Sequence, residues 1–159
     1  MKLQRVYVDT SVIGGCFDQE FAVWSESLLH DFAGGVFSPV TSVLVQAEID
    51  LAPIFVQQKY AELLGMKPEI LDVTPEALAL ANLYQTQGIL TSKFFNDGLH
   101  IAVATVAQVD VVVSWNFRHI VRFNKIRRFN GVNIQQGYRT LQIYSPREVT
   151  TYEEDNDQT

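Results

Sequence analysis

The sequence predicts an α/β domain in three layers, with a mostly parallel central sheet of four to five strands and helices on both faces. Strand patterns alternate with helix patterns along the 159 residues, and no internal repeat divides them. One predicted strand is apolar at every position, which is typical of parallel sheets covered on both faces. The hydrophobic fraction of 47% suffices for one core, so most of the chain is predicted to be ordered.

The first part of the chain alternates strand and helix patterns. Residues 4–8 favour a strand, and the glycines at 14–15 are expected to keep the following loop flexible. Apolar residues at helical spacing predict a helix over 20–32. Residues 36–38 are a short candidate strand, and Pro39 is expected to start a turn.

Hydroxyl residues that can cap a helix precede two segments of the middle third, at Ser42 and Thr74. Pro53 fits the first turn of another helix. The predicted elements are therefore helices over 43–51, 53–64 and 75–87, and a strand over 69–73.

The last third contains the apolar strand, at residues 111–113. Apolar positions predict a helix before it, over 96–108. A helical segment is expected over 120–129 and a short final strand over 141–143. The domain is predicted to span residues 1–149, followed by an acidic tail over 150–159 that is expected to be disordered.

Several classes of protein are excluded by composition. No apolar run approaches the ~20 residues that span a bilayer, and the first residues do not resemble a signal peptide. A cytoplasmic location is therefore expected. Cys16 is the only cysteine, which excludes an internal disulfide and a cysteine-rich zinc site.

The net charge of −6 argues at first against a nucleic-acid partner, but the charge is unevenly distributed. The residues from Thr151 onward contain four acids and no basic residue, so the rest of the chain has a net charge of only −2. No acid occurs from Val111 to Arg147. That segment holds these basic residues: Arg118, Arg122, Lys125, Arg127, Arg128, Arg139 and Arg147.

Ligands of open parallel sheets bind at the carboxyl ends of the strands. That rule selects Asp9 after the first strand and residues 114–116 after the fourth. Glu48 and Asp97 lie on predicted helices. Each has an ordinary structural explanation: Asp9 and Asp97 as caps, Glu48 on a solvated face, and Asn116 in a turn.

Taken as a set, the acids suit phosphodiester hydrolysis. Mg²⁺ and Mn²⁺ prefer carboxylate oxygens, offset the charge of a phosphate and activate water. The chain has no serine nucleophile elbow, no P-loop and no dinucleotide-binding glycine motif. An aspartyl-phosphate mechanism at Asp9 would need a second aspartate two residues later, where Ser11 stands.

Four segments in order resemble the PIN-domain family of VapC-like toxins. They are Val-Tyr-Val-Asp-Thr-Ser at 6–11, the Glu48 helix at 42–49, Asn-Asp-Gly-Leu-His-Ile-Ala at 96–102, and the strand with its following loop at 111–117. The resemblance extends to about Val149. It implies a PIN-like fold and a metal-dependent endoribonuclease, the toxin of a type II toxin–antitoxin pair.

The resemblance also implies a role for each matched residue. Asp9, Glu48 and Asp97 would bind Mg²⁺ or Mn²⁺ and would be catalytic together with Asn116. Asn116 stands where many members have a fourth acid, so it contributes a carbonyl oxygen without charge. The supporting residues would be Thr10, Ser11, Ser114 and His100.

Partners follow from the same resemblance and from the basic segment. Arg118, Arg122 and Lys125 are predicted RNA contacts, because phosphate contacts supply most nucleic-acid affinity. Three phenylalanines interleave with them: Phe117, Phe123 and Phe129. The family implies an antitoxin protein as partner, and a homodimer. The alternative is a degenerate PIN domain that binds RNA or protein without cutting, which Asn116 supports.

Overall fold

The computed structural model describes residues 2–153 and contains a five-stranded sheet in which every pairing is parallel. The strands are β1 (Arg5–Val8), β2 (Ser38–Ser42), β3 (Glu69–Leu71), β4 (Val111–Val113) and β5 (Gln142–Tyr144). The α-helices are α1 (Thr10–Gly15), α2 (Ala22–Ala33), α3 (Val43–Ile49), α4 (Ile54–Leu64), α5 (Pro75–Thr86), α6 (Phe95–Val106), α7 (Phe123–Gln135) and α8 (Pro146–Val149), and a 3-10 helix spans Ser92–Phe94. The predicted α/β class is confirmed. None of the helices in residues 2–153 has both the length and the apolar character of a membrane span.

Strand β1 is the centre of the sheet, whose order is β3-β2-β1-β4-β5. Its Tyr7 pairs with Val40 on one side and with Val112 on the other. The chain moves outward from β1 to β3, then crosses to β4 on the opposite side of β1. The carboxyl ends of β1 and β4 therefore form the switch point where such sheets bind ligands.

Helix starts in the middle third follow the predicted capping signals. Ser42 accepts a hydrogen bond from the backbone N–H of Val45 at 3.2 Å. Thr74 does the same for Ala77 at 3.1 Å, with Pro75 in the first turn. A side-chain oxygen at this position satisfies a backbone donor that the helix leaves unpaired.

The segment after β1 is a helix, α1, and not the flexible loop that its two glycines suggested. Tertiary contacts outweigh the poor helix propensity of Gly14 and Gly15. Val12 and Ile13 are fully buried, and Ser25 of α2 donates to the Val12 carbonyl at 2.8 Å.

Strand β2 begins later and is longer than predicted, and it contains Pro39. Ser38 donates its N–H to Gln4 on the β1 side, so the next residue faces the β3 side. β3 pairs with β2 only from Val40 onward. The missing N–H of Pro39 therefore leaves no ladder partner unsatisfied.

Helix α7 begins at Phe123 rather than at residue 120, and it continues to Gln135. The backbone before it is held in a turn, because the Asn116 carbonyl accepts from the N–H groups of Ile120 and Val121 at 3.1 and 2.8 Å. The predicted helix over 120–129 was therefore misplaced at both ends.

The beginning of the predicted tail is held against α2. Buried Asp31 accepts hydrogen bonds from the hydroxyls of Thr150 and Thr151, at 2.7 and 2.6 Å. Tyr152 packs edge-on against Trp24, with ring centroids 5.3 Å apart. Residues 154–159, where the rest of that tail was predicted, lie outside the described residues.

The close approach of α1 to the end of β4 requires glycine at position 15. A methyl group on Gly15 would lie 2.6 Å from Trp115 Nε1 and 2.7 Å from Ser25 Oγ. The neighbouring Gly14 has no atom within 4 Å of the same position. The two adjacent glycines of α1 thus differ in the space around them.

We expect Gly15→Ala to lower the free energy of unfolding by about 1–3 kcal/mol, because the new methyl group overpacks a buried indole. Gly14→Ala is the matched control and should be neutral or stabilising by up to about 1 kcal/mol, since alanine is the better helix former. Urea denaturation of both variants measures this, and equal effects would contradict the packing argument.

Candidate functional site

Three acids from separate elements converge at the carboxyl edge of the sheet. Asp9 follows β1, Glu48 lies in α3 and Asp97 in the first turn of α6. The charge of His100 lowers the pKa of each of the three carboxyl groups against the effect of burial. One histidine, His100, therefore lies near all three carboxyl groups.

Asp9 is a buried carboxylate, 5% exposed, at the switch point between β1 and β4. It stands at the N-cap of α1, but its side chain makes no capping hydrogen bond. Its two oxygens instead accept from Ser11 Oγ and Ser114 Oγ, both at 2.6 Å. Burial raises the pKa of Asp9, and these two hydroxyls oppose that shift. The two serine hydroxyls therefore provide the main hydrogen bonds to the Asp9 side chain.

Glu48 points into the site rather than toward solvent. Its Oε1 accepts from the Thr10 hydroxyl and contacts His100 Nε2 at 2.9 Å. Both partners found in residues 2–153 contact Oε1, so Oε2 is left for a ligand or water. Burial acts to raise the pKa of Glu48, but the hydrogen bonds and charge of His100, with the Thr10 hydroxyl, lower it overall. Glu48 is thus held in its ionised form.

A buried chain of hydrogen bonds lies behind Glu48, and two of its members were not predicted as site residues. His100 Nδ1 lies 2.7 Å from the Tyr7 hydroxyl, which lies 2.8 Å from Ser42 Oγ. All three side chains are at most 3% exposed. The signal in the sequence was a tyrosine within a buried strand, since a buried tyrosine hydroxyl needs a partner.

Asp97 lies near a second histidine, His119, which was not predicted as a site residue. Burial raises the pKa of Asp97, while His119, His100 and the Asn116 side chain oppose the shift. The His119 ring packs against Phe94, with ring centroids 3.9 Å apart and ring planes tilted by 32°. Its Nδ1 atom is the one buried side-chain nitrogen or oxygen in residues 2–153 that has no hydrogen-bond partner.

The loop after β4 supports the site with Ser114 and Asn116. Ser114 Oγ donates to Asp9 and accepts from the N–H of Asn116 at 2.9 Å. The side-chain oxygen of Asn116 accepts from the N–H groups of Arg118 and His119, at 3.2 and 2.9 Å. Both lone pairs of that oxygen are used, so the geometry favours the turn role of Asn116 over direct coordination.

The predicted RNA contacts differ in their availability. Arg118 and Arg122 are exposed, and Arg118 lies 5.9 Å over the Phe94 ring. Lys125 is half-buried and donates to the Ile89 carbonyl, so its ammonium group is partly engaged.

The interleaved phenylalanines also divide into two groups. Phe117 and Phe123 are 49% and 73% exposed, whereas Phe129 is fully buried. Arg127 lies 5.5 Å over the ring of Phe123. Phe129 is therefore a core residue, and the other two belong to the surface of the basic segment.

The donors at this edge are oxygens, as Mg²⁺ and Mn²⁺ prefer. Within residues 2–153, no group of three or more His, Cys, Asp or Glu side chains is arranged to hold a metal ion. Mg²⁺ seldom uses such a cage, because it keeps several waters and binds through one or two carboxylates and a substrate phosphate. The residues therefore fit a hydrated ion held by part of the set, with Glu48 Oε2 accessible to it.

A cavity of about 540 Å³ lies at the opposite edge of the sheet. Its lining includes Arg5, Asp110 and Arg139, which are bound within the chain. Arg5 forms an ion pair with Glu69 at 2.9 Å, and Arg139 donates to the Gln108 carbonyl. This cavity contains none of the converging acids, so the candidate site is the carboxyl edge.

The raised pKa of Asp97 makes a prediction for stability. In the folded protein the pKa of Asp97 lies above its ordinary value of 3.8. The free energy of unfolding therefore falls as the pH rises through the folded pKa. We therefore expect Asp97→Asn to melt at a higher temperature than the parent protein at pH 7, and at a similar temperature near pH 3. Asp72→Asn, at an exposed acid, is the control. A lower melting temperature of Asp97→Asn at pH 7 would contradict this account.

No family model and no curated protein sequence matches the chain. Solved structures match its fold. A toxin–antitoxin complex from Klebsiella pneumoniae has a TM-score of 0.53 at 11% identity, over 72% of this chain and 88% of that chain. The crystal structure of VapBC2 from Rickettsia felis, bound to a DNA fragment from their promoter, has a TM-score of 0.57 at 15% identity, over 88% and 98%. The fold implied by the sequence resemblance is thereby confirmed: this chain has a VapC-like PIN fold.

Proposed function

We propose that this chain is a divalent-metal-dependent endoribonuclease that hydrolyses RNA phosphodiester bonds, and that it is the toxin of a type II toxin–antitoxin pair. The observation that carries the proposal is the convergence of Asp9, Glu48 and Asp97 around His100 at the switch point of the sheet. The fold likeness to toxin–antitoxin complexes supports it.

The cofactor in this proposal is Mg²⁺ or Mn²⁺, which would supply charge compensation for the phosphate and a deprotonated water. Glu48 offers an ionised carboxylate with one oxygen toward the cleft. Asp9 is fixed by two serine hydroxyls, so its carboxylate is already oriented. Groups fixed before the substrate arrives lower the cost of reorganisation during the reaction.

The substrate strand would lie across the basic segment beside Asp97. Arg118 and Arg122 lower the pKa of His119, after the larger effect of burial, and Asp97 raises it. These arginines and the third acid therefore share one neighbourhood. No ion pair engages Arg118 or Arg122 within residues 2–153. Unpaired cations suit phosphates, and the exposed rings of Phe117 and Phe123 suit base stacking.

An antitoxin protein is the proposed partner. Apolar side chains are exposed where α1, α3 and α4 meet, and Phe17 and Phe55 contact each other with ring centroids 4.8 Å apart. Leu51 and Ile54 beside them are 90% and 65% exposed. Such a patch suits a protein interface. The homodimer and the cytoplasmic location stay predictions.

The alternative function is a catalytically degenerate PIN-like module that binds RNA or protein without cutting RNA. It is favoured by Asn116, whose side-chain oxygen is used by the backbone, and by the lack of a three-residue metal cage in residues 2–153. A melting temperature that does not respond to Mn²⁺ would support this alternative.

Cleavage of a mixed RNA pool tests the proposed function. Purified protein free of inhibitor should cut RNA with Mg²⁺ or Mn²⁺ and not with EDTA. Asp97→Asn should lose at least a hundredfold in rate, because removing even a group that only hydrogen-bonds to a metal ligand typically costs ten- to a hundredfold. Asp72→Asn should cut like the parent. No cleavage by folded parent protein under any condition would favour the binding module.

The basic segment makes a separate prediction on binding. In EDTA, Arg118→Gln should weaken binding to a single-stranded RNA and make the slope of log affinity against log salt shallower by about 0.7, the value for one lost phosphate contact. Arg139→Gln, at the opposite edge, should bind like the parent. Fluorescence anisotropy at several salt concentrations measures both, and an unchanged slope for Arg118→Gln would remove it from the interface.

A further inference from the structure

We propose that Tyr7 is a positioning residue for Glu48, acting through the His100 ring, and that Ser42 completes this device. The inference rests on the proposed function, in which Glu48 faces a divalent cation. Neither Tyr7 nor Ser42 would touch the cation or the RNA. Their role would be to fix which oxygen of Glu48 is presented to the cleft.

Three hydrogen bonds connect Ser42 to Glu48 in an unbroken series. Ser42 Oγ, the Tyr7 hydroxyl, His100 Nδ1, His100 Nε2 and Glu48 Oε1 follow one another at 2.8, 2.7 and 2.9 Å across the three hydrogen bonds. This series of hydrogen bonds begins and ends at helix α3, because Ser42 is the N-cap of α3 and Glu48 lies in it. The contacts therefore form a closed ring through β1, α6 and α3.

The positions of the protons determine the direction of each hydrogen bond in this series. A tyrosine hydroxyl has an ordinary pKa of about 10 and therefore carries its proton at neutral pH. When His100 is neutral and donates from Nε2 to Glu48, its Nδ1 carries no proton and needs a donor, which the Tyr7 hydroxyl supplies. The tyrosine thereby selects the tautomer in which Nε2 carries the proton, and that proton faces Glu48.

These hydrogen bonds determine which carboxylate oxygen of Glu48 remains for the cleft. Both His100 and Thr10 contact Oε1, from the buried side of the carboxylate. Oε2 is then the oxygen that remains for the cleft. Side chains that hydrogen-bond to a metal ligand orient that ligand, and removing them typically weakens metal binding by ten- to a hundredfold.

Tyr7→Phe isolates this role, because it deletes one hydroxyl and keeps the ring that packs in the core. Tyr60→Phe is the matched control: Tyr60 is also buried, and its hydroxyl lies 3.0 Å from Thr41 Oγ1, outside the ring of contacts. Tyr7→Phe removes two buried hydrogen bonds and Tyr60→Phe removes one, so the melting temperature of each variant is measured beside its affinity for Mn²⁺.

Two readouts separate positioning from folding. Isothermal titration should show that Tyr7→Phe binds Mn²⁺ ten- to a hundredfold more weakly than the parent, whereas Tyr60→Phe binds like the parent. Nitrogen NMR of the metal-free protein, which has three histidines, should show one fixed His100 tautomer in the parent and a mixture in Tyr7→Phe.

The outcomes distinguish this inference from the function on which it rests. Equal Mn²⁺ affinity of the parent and Tyr7→Phe, with an unchanged His100 tautomer, would overturn the positioning role while leaving the nuclease proposal intact. A parent that binds no Mn²⁺ and cuts no RNA would overturn the proposed function and the positioning role with it. Equal loss in Tyr60→Phe would reduce Tyr7 to a packing residue.

Discussion

Asp9 lies at the end of the central strand β1, and the surrounding structure must supply hydrogen-bond donors to its buried carboxylate. An unpaired carboxylate at this depth would be strongly destabilising. Ser11 from α1 and Ser114 from the end of β4 each give it a hydroxyl at 2.6 Å. Those two donors can reach Asp9 only if β1 and β4 are neighbours and α1 packs closely on the loop after β4. The parallel pairing of Val8 with Val113 and the absence of a side chain at Gly15 meet these two requirements.

The pKa values of the other two acids, Glu48 and Asp97, are shifted in opposite directions. Glu48 is kept ionised by His100 and Thr10, whereas burial raises the pKa of Asp97. Acids that lie together are costly for the metal-free fold, and such groups cluster at functional sites. A bound cation would offset that cost. The basic surface formed by Arg118 and Arg122 lies next to this acidic cleft, and under the proposed function an RNA backbone would lie there.

Much of the fold could be predicted because its signals are local. The apolar run at β4 and the caps at Ser42 and Thr74 define elements that short stretches of sequence specify. The start of α7 was misplaced because a local turn at Asn116 holds the backbone of Ile120 and Val121 outside the helix. The extent of β2 and the helical conformation of α1 depend on contacts between distant segments, so these two predictions were wrong. Asp9, Glu48 and Asp97 could be selected as candidate site residues from the sequence because they lie at strand ends or on a resembling motif. Tyr7 and His119 were missed, because a buried hydroxyl and an imidazole become site residues only through their neighbours in space.

The central claim is that the acids at the carboxyl edge of β1 and β4 bind a divalent cation. Anomalous diffraction at the manganese edge from crystals soaked in Mn²⁺ tests it most directly, because it locates the ion without relying on activity. The account predicts an anomalous peak beside Glu48 Oε2 and facing Asp9 and Asp97. A peak elsewhere on the surface, or none in crystals whose carboxyl edge is open to solvent, would contradict the account.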